Sequence, residues 1–268
     1  MSKLIAIDNG HGLNTAGKRC PDDSMREWQF NYATAKYLKE ELEHNGFKTL
    51  MVSDTSADTP LATRVARINN AKADMSISIH ANALQDTQWV SANGIETFAY
   101  SSTSKGNAIA KLVQAELISA TGLRDRGVKY NNLYMTRRPN CSAILCECGF
   151  MDNKTEAELL KSDAYRRKCA KAMCKGICKY YGITYKDKDV VTVEQPKPNE
   201  FKPYLAKCNT DNLNCRKGAG TSFEIETKIN RGVVITIVEE KMNGTTKWLK
   251  AKSGYWVSAK YMEFVRYI

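Results

Sequence analysis

No apolar run among the 268 residues approaches the roughly 20 needed to span a bilayer, so membrane insertion is not expected. The amino terminus enters an apolar, strand-like segment with no basic region, apolar core and small-residue cleavage site ahead of it, and classical secretion is therefore not expected. The nine cysteines are odd in number and scattered, and no two are spaced Cys-x-x-Cys. Neither a disulfide scaffold nor a cysteine-ligated structural zinc is indicated, and a reducing cytoplasm at synthesis fits best. Histidine is scarce, with three in the chain. Acidic residues are the minority, 29 against 40 Lys and Arg, for a net charge of +11. The excess is spread: 25 against 19 over residues 1–185 and 15 against 10 over 186–268. Both parts should be drawn to an anionic partner, and nucleic acid, anionic lipid and anionic wall polymer all qualify.

With 43% hydrophobic and 26% charged residues, the chain has the composition of a globular protein with one sizeable core and a smaller domain. Leu4-Ile5-Ala6-Ile7 is short and β-branched, which predicts a strand buried on both faces. It ends in Asp8-Asn9-Gly10-His11-Gly12. A helix is expected from Glu27 to about Asn45, with Trp28, Tyr32, Ala35, Leu38 and Leu42 inward. His44 in its last turn reads as a partner of the helix dipole. Phe47–Ser53 predicts a second strand, and Thr59-Pro60 caps a helix whose Leu61, Val65 and Ile68 face inward. Arg64 and Arg67 on that helix are expected to be solvated or ion-paired. Asp74–Ile79 is a third strand and, like the first, ends in a histidine, His80. Gly94–Tyr100 is a fourth strand, Lys105–Ala120 a helix closed by Gly122, and Leu133–Thr136 and Ala143–Phe150 further strands. Helices follow from Lys154 to about Tyr181.

Strands alternating with helices predict an α/β domain on a mainly parallel, mixed sheet. Residues 186–203, charged and proline-bearing, read as a linker. From Tyr204 the segments are short, β-rich and broken by glycines, which predicts a small all-β barrel. The expected domains are thus 1–185, linker 186–203, and 204–268.

Two of the three histidines terminate predicted parallel strands, on what should be one sheet edge. Two imidazoles and a carboxylate form a hydrolytic zinc set with the fourth position left to water, and Asp8, Glu27 and Glu147 are the carboxylate candidates. Glu27 in a first helical turn is also accounted for by the dipole. Glu147 lies within Ile144-Leu145-Cys146-Glu147-Cys148-Gly149-Phe150, where a carboxylate is costly to bury without a partner or cation. Strand alternation turns Cys146 and Cys148 into the core and Glu147 to the other face.

Asp8-Asn9-Gly10-His11-Gly12, Glu27, Ser78-Ile79-His80-Ala81-Asn82 and Glu147-Cys148-Gly149-Phe150 resemble the zinc-dependent N-acetylmuramoyl-L-alanine amidase family Amidase_3, over about residues 3–182. The helix of Arg64 and Arg126-Gly127-Val128-Lys129 match as well. The resemblance implies His11, Glu27 and His80 as zinc ligands and Glu147 as catalytic acid/base. Asn9 stands where the family usually has proline, and Cys148 where threonine or serine is common. No long helical insertion of the kind that occludes self-inhibited members follows His80, which implies an open site. Leu213–Gly218, Gly232–Ile237, Trp248–Ala251 and Gly254–Ser258 resemble a bacterial SH3 domain, with Cys215 in place of the usual valine and Trp248 and Trp256 open to either core or surface.

Together these features resemble phage endolysins. That resemblance implies a peptidoglycan hydrolase cutting between N-acetylmuramic acid and L-alanine. It would be made in the host bacterial cytoplasm and act on the wall after membrane permeabilisation, as a monomer by default and without nucleic acid. A zinc peptidase cutting within the stem peptide and a non-catalytic wall-binding protein are the competing readings.

Overall fold

The computed structural model describes residues 2–188 and 201–268 and divides the chain into two compact units, one holding residues 2–188 and the other residues 201–268. The first unit runs β1 (Leu4–Asn9), α1 (Glu27–His44), β2 (Lys48–Met51), α2 (Leu61–Asn70), β3 (Met75–Asn82), β4 (Ile95–Ala99), α3 (Asn107–Thr121), β5 (Asp125–Tyr130), α4 (Tyr134–Arg137), β6 (Ser142–Phe150), α5 (Lys154–Lys161) and α6 (Asp163–Tyr180). Its six-stranded sheet has the order β2-β1-β3-β6-β4-β5. The pairs β1–β2, β1–β3, β3–β6 and β4–β5 are parallel, whereas β4 runs antiparallel to β6.

Apolar strands force this layering, because a sheet buried on both faces needs cover on both. Ile5, Ile7, Ile77, Ile79, Cys146 and Cys148 pack on one face against Phe30, Leu38 and Leu42 of α1, Val113 of α3, and Met173 and Ile177 of α6. Ala6 turns to the other face, against Val65 and Ile68 of α2 and Met135 of α4. Gly122, in the left-handed region at φ 69°, stops α3 where the sequence predicts.

Four expectations need correction. Leu133–Thr136 is not a strand: Tyr134–Arg137 forms a single helical turn that tucks Met135 under the sheet. The strand role passes to Asp125–Tyr130, a half-exposed sheet edge, where polar composition is tolerated and the apolar signal is lost. The inward face of α1 is Glu27, Phe30, Asn31, Thr34, Ala35, Leu38, Glu41 and Leu42, while Trp28 and Tyr32 stack on each other outside it, 4.7 Å apart. Leu61, expected on the inward face of α2, is exposed, while the expected helices after Lys154 are α5 and α6, divided at Ser162.

The expected linker is also shortened at its start. Lys186 donates its backbone N–H to Asn45 Oδ1 at 2.7 Å and Lys188 pairs with Glu40, so these residues pack on the first unit. The remaining linker expectation falls chiefly on residues 189–200, outside the described residues.

The second unit is antiparallel throughout: β7 (Tyr204–Cys208), β8 (Leu213–Arg216), β9 (Ile225–Ile229), β10 (Val234–Asn243), β11 (Thr246–Ala251), β12 (Trp256–Ser258), a 3₁₀ turn (Ala259–Tyr261) and β13 (Met262–Tyr267), in the order β13-β7-β10-β11-β12-β8-β9. Ala206, Cys208, Leu213, Cys215, Ile237, Leu249 and Val257 form its core. Trp248 and Trp256 are 4% and 8% exposed and pack with Ala219, so they belong to the interior. The exposed rings are elsewhere. Phe264 and Tyr267, both exposed, and half-buried Tyr204 lie with ring centres 5.0 to 6.1 Å apart beside a cleft of about 260 Å³ whose lining includes Glu240 and Lys247.

Candidate metal centre

β1, β3 and β6 are adjacent and parallel, so their carboxyl ends share one edge, the usual place for a ligand in an open α/β sheet. The register sets Asn9 beside Ile79 and His80 beside Glu147. After β1 the chain turns at Gly10, whose N–H donates to the Ile79 carbonyl at 3.1 Å. His11 then takes φ 63°, a left-handed conformation that costs a histidine about 1 kcal/mol or more and persists only where surroundings enforce it. Arg64 enforces it by donating from Nη2 to the His11 carbonyl at 3.0 Å.

The residues from Gly12 to Arg26 loop back, and the Glu27 N–H donates to the Lys18 carbonyl at 2.9 Å as α1 begins. Because the inward face of α1 opens with Glu27 and Asn31, the carboxylate points under the strand ends and is 1% exposed. Glu27 Oε2 lies 3.3 Å from His11 Nε2. Its Oε1 lies 3.0 Å from His80 Nδ1 and accepts from Asn31 Nδ2 at 3.1 Å and the Ala81 N–H at 3.2 Å. The two imidazoles meet edge to face at 5.0 Å. One ligating atom from each of His11, Glu27 and His80 lies within 4.8 Å of the others, and this is the one such group found among the described residues.

The donor set passes a chemical test for a cation. Two imidazoles and one carboxylate, partly open to solvent at the histidines, are a zinc set with a position to spare. Burial holds His11 down at about 4, so its ring is neutral and ready to ligate near neutral pH. Burial would raise Glu27, but its hydrogen bond to His80 and the charges of both imidazoles prevail and hold it at about 2. The same pair acts on His80, where burial lowers the pKa and the Glu27 hydrogen bond and charge raise it beyond that. Without a cation, Glu27 and His80 therefore each favour the charged form of the other.

Glu147 is adjacent but apart from this set. Its Oε2 is buried without a hydrogen-bond partner among the described residues. Burial pushes its pKa up to about 7, the His80 charge opposing and Glu27 and Glu96 reinforcing. Asp8, the third carboxylate candidate, is not in the group: it pairs with Arg64 at 2.7 Å and accepts from Ser78 at 2.5 Å.

Sequence reasoning missed Glu96, the cross-strand neighbour of Glu147, which accepts from Asn82 at 2.8 Å and from Arg126 Nε at 2.7 Å. Arg126 in turn lies over the Phe150 ring at 4.8 Å. No local signal marks Glu96, because its place depends on the antiparallel pairing of β4 with β6.

Fold and site define the class as an α/β domain carrying a candidate metal centre at the carboxyl edge of its sheet. The chain belongs to the N-acetylmuramoyl-L-alanine amidase family, Amidase_3, whose profile matches residues 5–179, and the bacterial SH3 domain profile matches residues 211–263. It is 26% identical over 268 residues to the endolysin of Bacillus phage SPP1, covering 97% of this chain and 96% of that one. It is 33% identical to N-acetylmuramoyl-L-alanine amidase LytC of Bacillus subtilis, covering 68% of this chain and 36% of LytC. Among solved structures it resembles the catalytic domain of CwlV, an N-acetylmuramoyl-L-alanine amidase from Bacillus (Paenibacillus) polymyxa. There the TM-score is 0.63 at 30% identity, over 68% of this chain and 99% of that one.

Proposed function

We propose that this chain is an endolysin that hydrolyses the amide between the lactyl group of N-acetylmuramic acid and the L-alanine of the peptidoglycan stem peptide. The observation that carries this is the His11–Glu27–His80 group beside Glu147, whose Oε2 is buried without a hydrogen-bond partner among the described residues, within a domain of the amidase family. His11, Glu27 and His80 would hold zinc. Bound there, zinc supplies Lewis-acid polarisation of a carbonyl and acidifies water.

Glu147 is the acid/base. A carboxyl poised at about 7 can take a proton from the attacking water and return it to the leaving amine near neutral pH. Glu96 and Asn82 hold the neighbouring polar surface in place, and Arg126 balances the charge of Glu96.

The first unit, through about Lys188, does the cutting, and the unit from Tyr204 targets the wall. Tethering raises the local concentration of the catalytic domain at an insoluble substrate. Tyr204, Phe264 and Tyr267 offer faces on which the apolar sides of wall sugars stack, with Glu240 and Lys247 as polar partners at the same cleft. The end-to-end likeness to the SPP1 endolysin supports synthesis in the host cytoplasm and release to the wall once the membrane is opened by another protein. Among the described residues no helix is long and apolar enough to cross a membrane.

Mass spectrometry of fragments released from purified walls tests the bond. Intact stem peptides with a free L-alanine amine are expected. Shortened peptides would favour a peptidase, and no release would favour a binding protein.

A further inference from the structure

Of the two states expected for Arg64, solvated or ion-paired, the structure shows the second: it is 1% exposed and pairs with Asp8. All of its donors are used. Nε donates to the Thr59 carbonyl at 2.7 Å, Nη1 to Asp8 Oδ1 at 2.7 Å and the Asn9 carbonyl at 2.6 Å, and Nη2 to the His11 carbonyl at 3.0 Å and Asp58 Oδ1 at 3.1 Å. Asp8 is thereby an acceptor with one oxygen, Oδ2, left to aim. It faces Ser78, its register partner across β1 and β3, and accepts the Ser78 hydroxyl proton at 2.5 Å.

A hydroxyl has one proton and two lone pairs. With its proton committed to Asp8, Ser78 Oγ can only accept from its other polar neighbour, His80 Nε2, at 3.2 Å. Ser78 and His80 lie two apart on β3 and so project from the same side of the strand. The second ring nitrogen of His80, Nδ1, is the one that faces Glu27.

We propose that Asp8 and Ser78 are positioning residues that hold His80 in the Nε2–H tautomer and so reserve its Nδ1 for the cation. The inference rests on the reading of His80 as a metal ligand. Arg64 aims Asp8, and through the His11 carbonyl it also fixes the other histidine, so one buried guanidinium braces both imidazoles. Partners beyond the ligands that fix ring orientation and tautomer in this way are typically worth about 10- to 100-fold in metal affinity.

Two measurements on the full chain test this. With three histidines in the chain, ¹⁵N imidazole spectra of the zinc-loaded wild type can resolve each ring. His80 is expected to keep its proton on Nε2 and bind through Nδ1, and a ring protonated on Nδ1 overturns the proposal. Zinc affinity is then measured by chelator competition for Ser78→Ala, with about 10- to 100-fold weakening of the folded protein's affinity expected beside a fall in the metal-free unfolding midpoint from the lost Asp8 partner. A merely structural serine would move the midpoint and leave the affinity of the folded protein unchanged, which also overturns it. A wild-type chain that binds no zinc removes the metal reading itself, an outcome distinct from wild type binding and Ser78→Ala binding equally well.

Discussion

Gly10 and the His80 ring are in direct contact: a β-carbon on Gly10 would fall 2.1 Å from His80 Cε1. Glycine is needed here for closeness, since Gly10 is not among the residues at positive φ. The end of β1 thus forms a wall against which the imidazole is seated, and the seat is as much a part of the site as the ligating atoms.

Gly10→Ala should therefore displace His80 while leaving the backbone conformation allowed. The expected result is a stability loss of about 1–3 kcal/mol from overpacking and a fall in wall hydrolysis on the order of 100-fold from the displaced ligand. Denaturant unfolding and turbidity assays on the same preparation separate the two effects. Unchanged hydrolysis would mean that the ring has room to retreat without consequence.

Glu147→Gln keeps shape and removes the transferable proton. It should retain zinc and fold while lowering turnover by about 10² to 10⁴. Metal analysis beside single-turnover cleavage of a soluble muropeptide checks this, and loss of zinc would reassign Glu147 to the ligand set.

Chelation should abolish lysis and added zinc restore it. The pH dependence of the metal-free chain follows from His80 and Glu147. His80, raised above 6.5 by Glu27, contributes stability that is present below that value and lost as pH climbs through its folded pKa. Glu147, raised from 4.5 to about 7, loses stability in the same direction across that interval. The unfolding midpoint of chelated protein should thus fall as pH rises above 6.5, where His11 no longer opposes it, while the increment from zinc grows, because His80 must shed a proton to ligate. Parallel melts with and without zinc measure both slopes. A zinc increment that shrinks toward pH 8 would contradict the Glu27–His80 pairing.

Removing residues 204–268 should reduce lysis of whole cells far more than cleavage of a small muropeptide, with the residual wall affinity of a positively charged first unit fading as salt rises. Within the second unit, aromatic substitutions should divide by location. Phe264→Ala and Tyr267→Ala should weaken wall binding with the fold kept, since both rings are exposed. Trp248→Ala should destabilise the domain by about 3–5 kcal/mol, as for a large ring removed from a core. A pull-down on purified walls, paired with circular dichroism, distinguishes these outcomes.

The sequence alone determined the features whose physical cause is local. An apolar, β-branched run broken by Gly-His-Gly specifies a buried strand ending in a presented imidazole, and the same grammar repeats at His80. A carboxylate in the middle of β6 advertises its own cost of burial, so Glu147 stood out, and strand alternation correctly sent Cys146 and Cys148 inward. The change of pattern at Tyr204 coincides with the start of β7. What the tertiary structure decided depends on pairing between segments distant in the chain. Spacing alone left Asp8 and Glu27 open as partners of the histidines; the β1–β3 register gives Asp8 to Ser78 and Arg64, and the inward face of α1 gives Glu27 to both histidines. Arg64 is ion-paired, one of the two states its place on a helix allows, but its burial was not legible because its five acceptors come from two stretches, residues 8–11 and 58–59, that only the fold brings together around it. Glu96 and the edge strand β5 were hidden for the same reason. A polar residue's role is set by what lies opposite it, and periodicity along one segment carries no information about its neighbour.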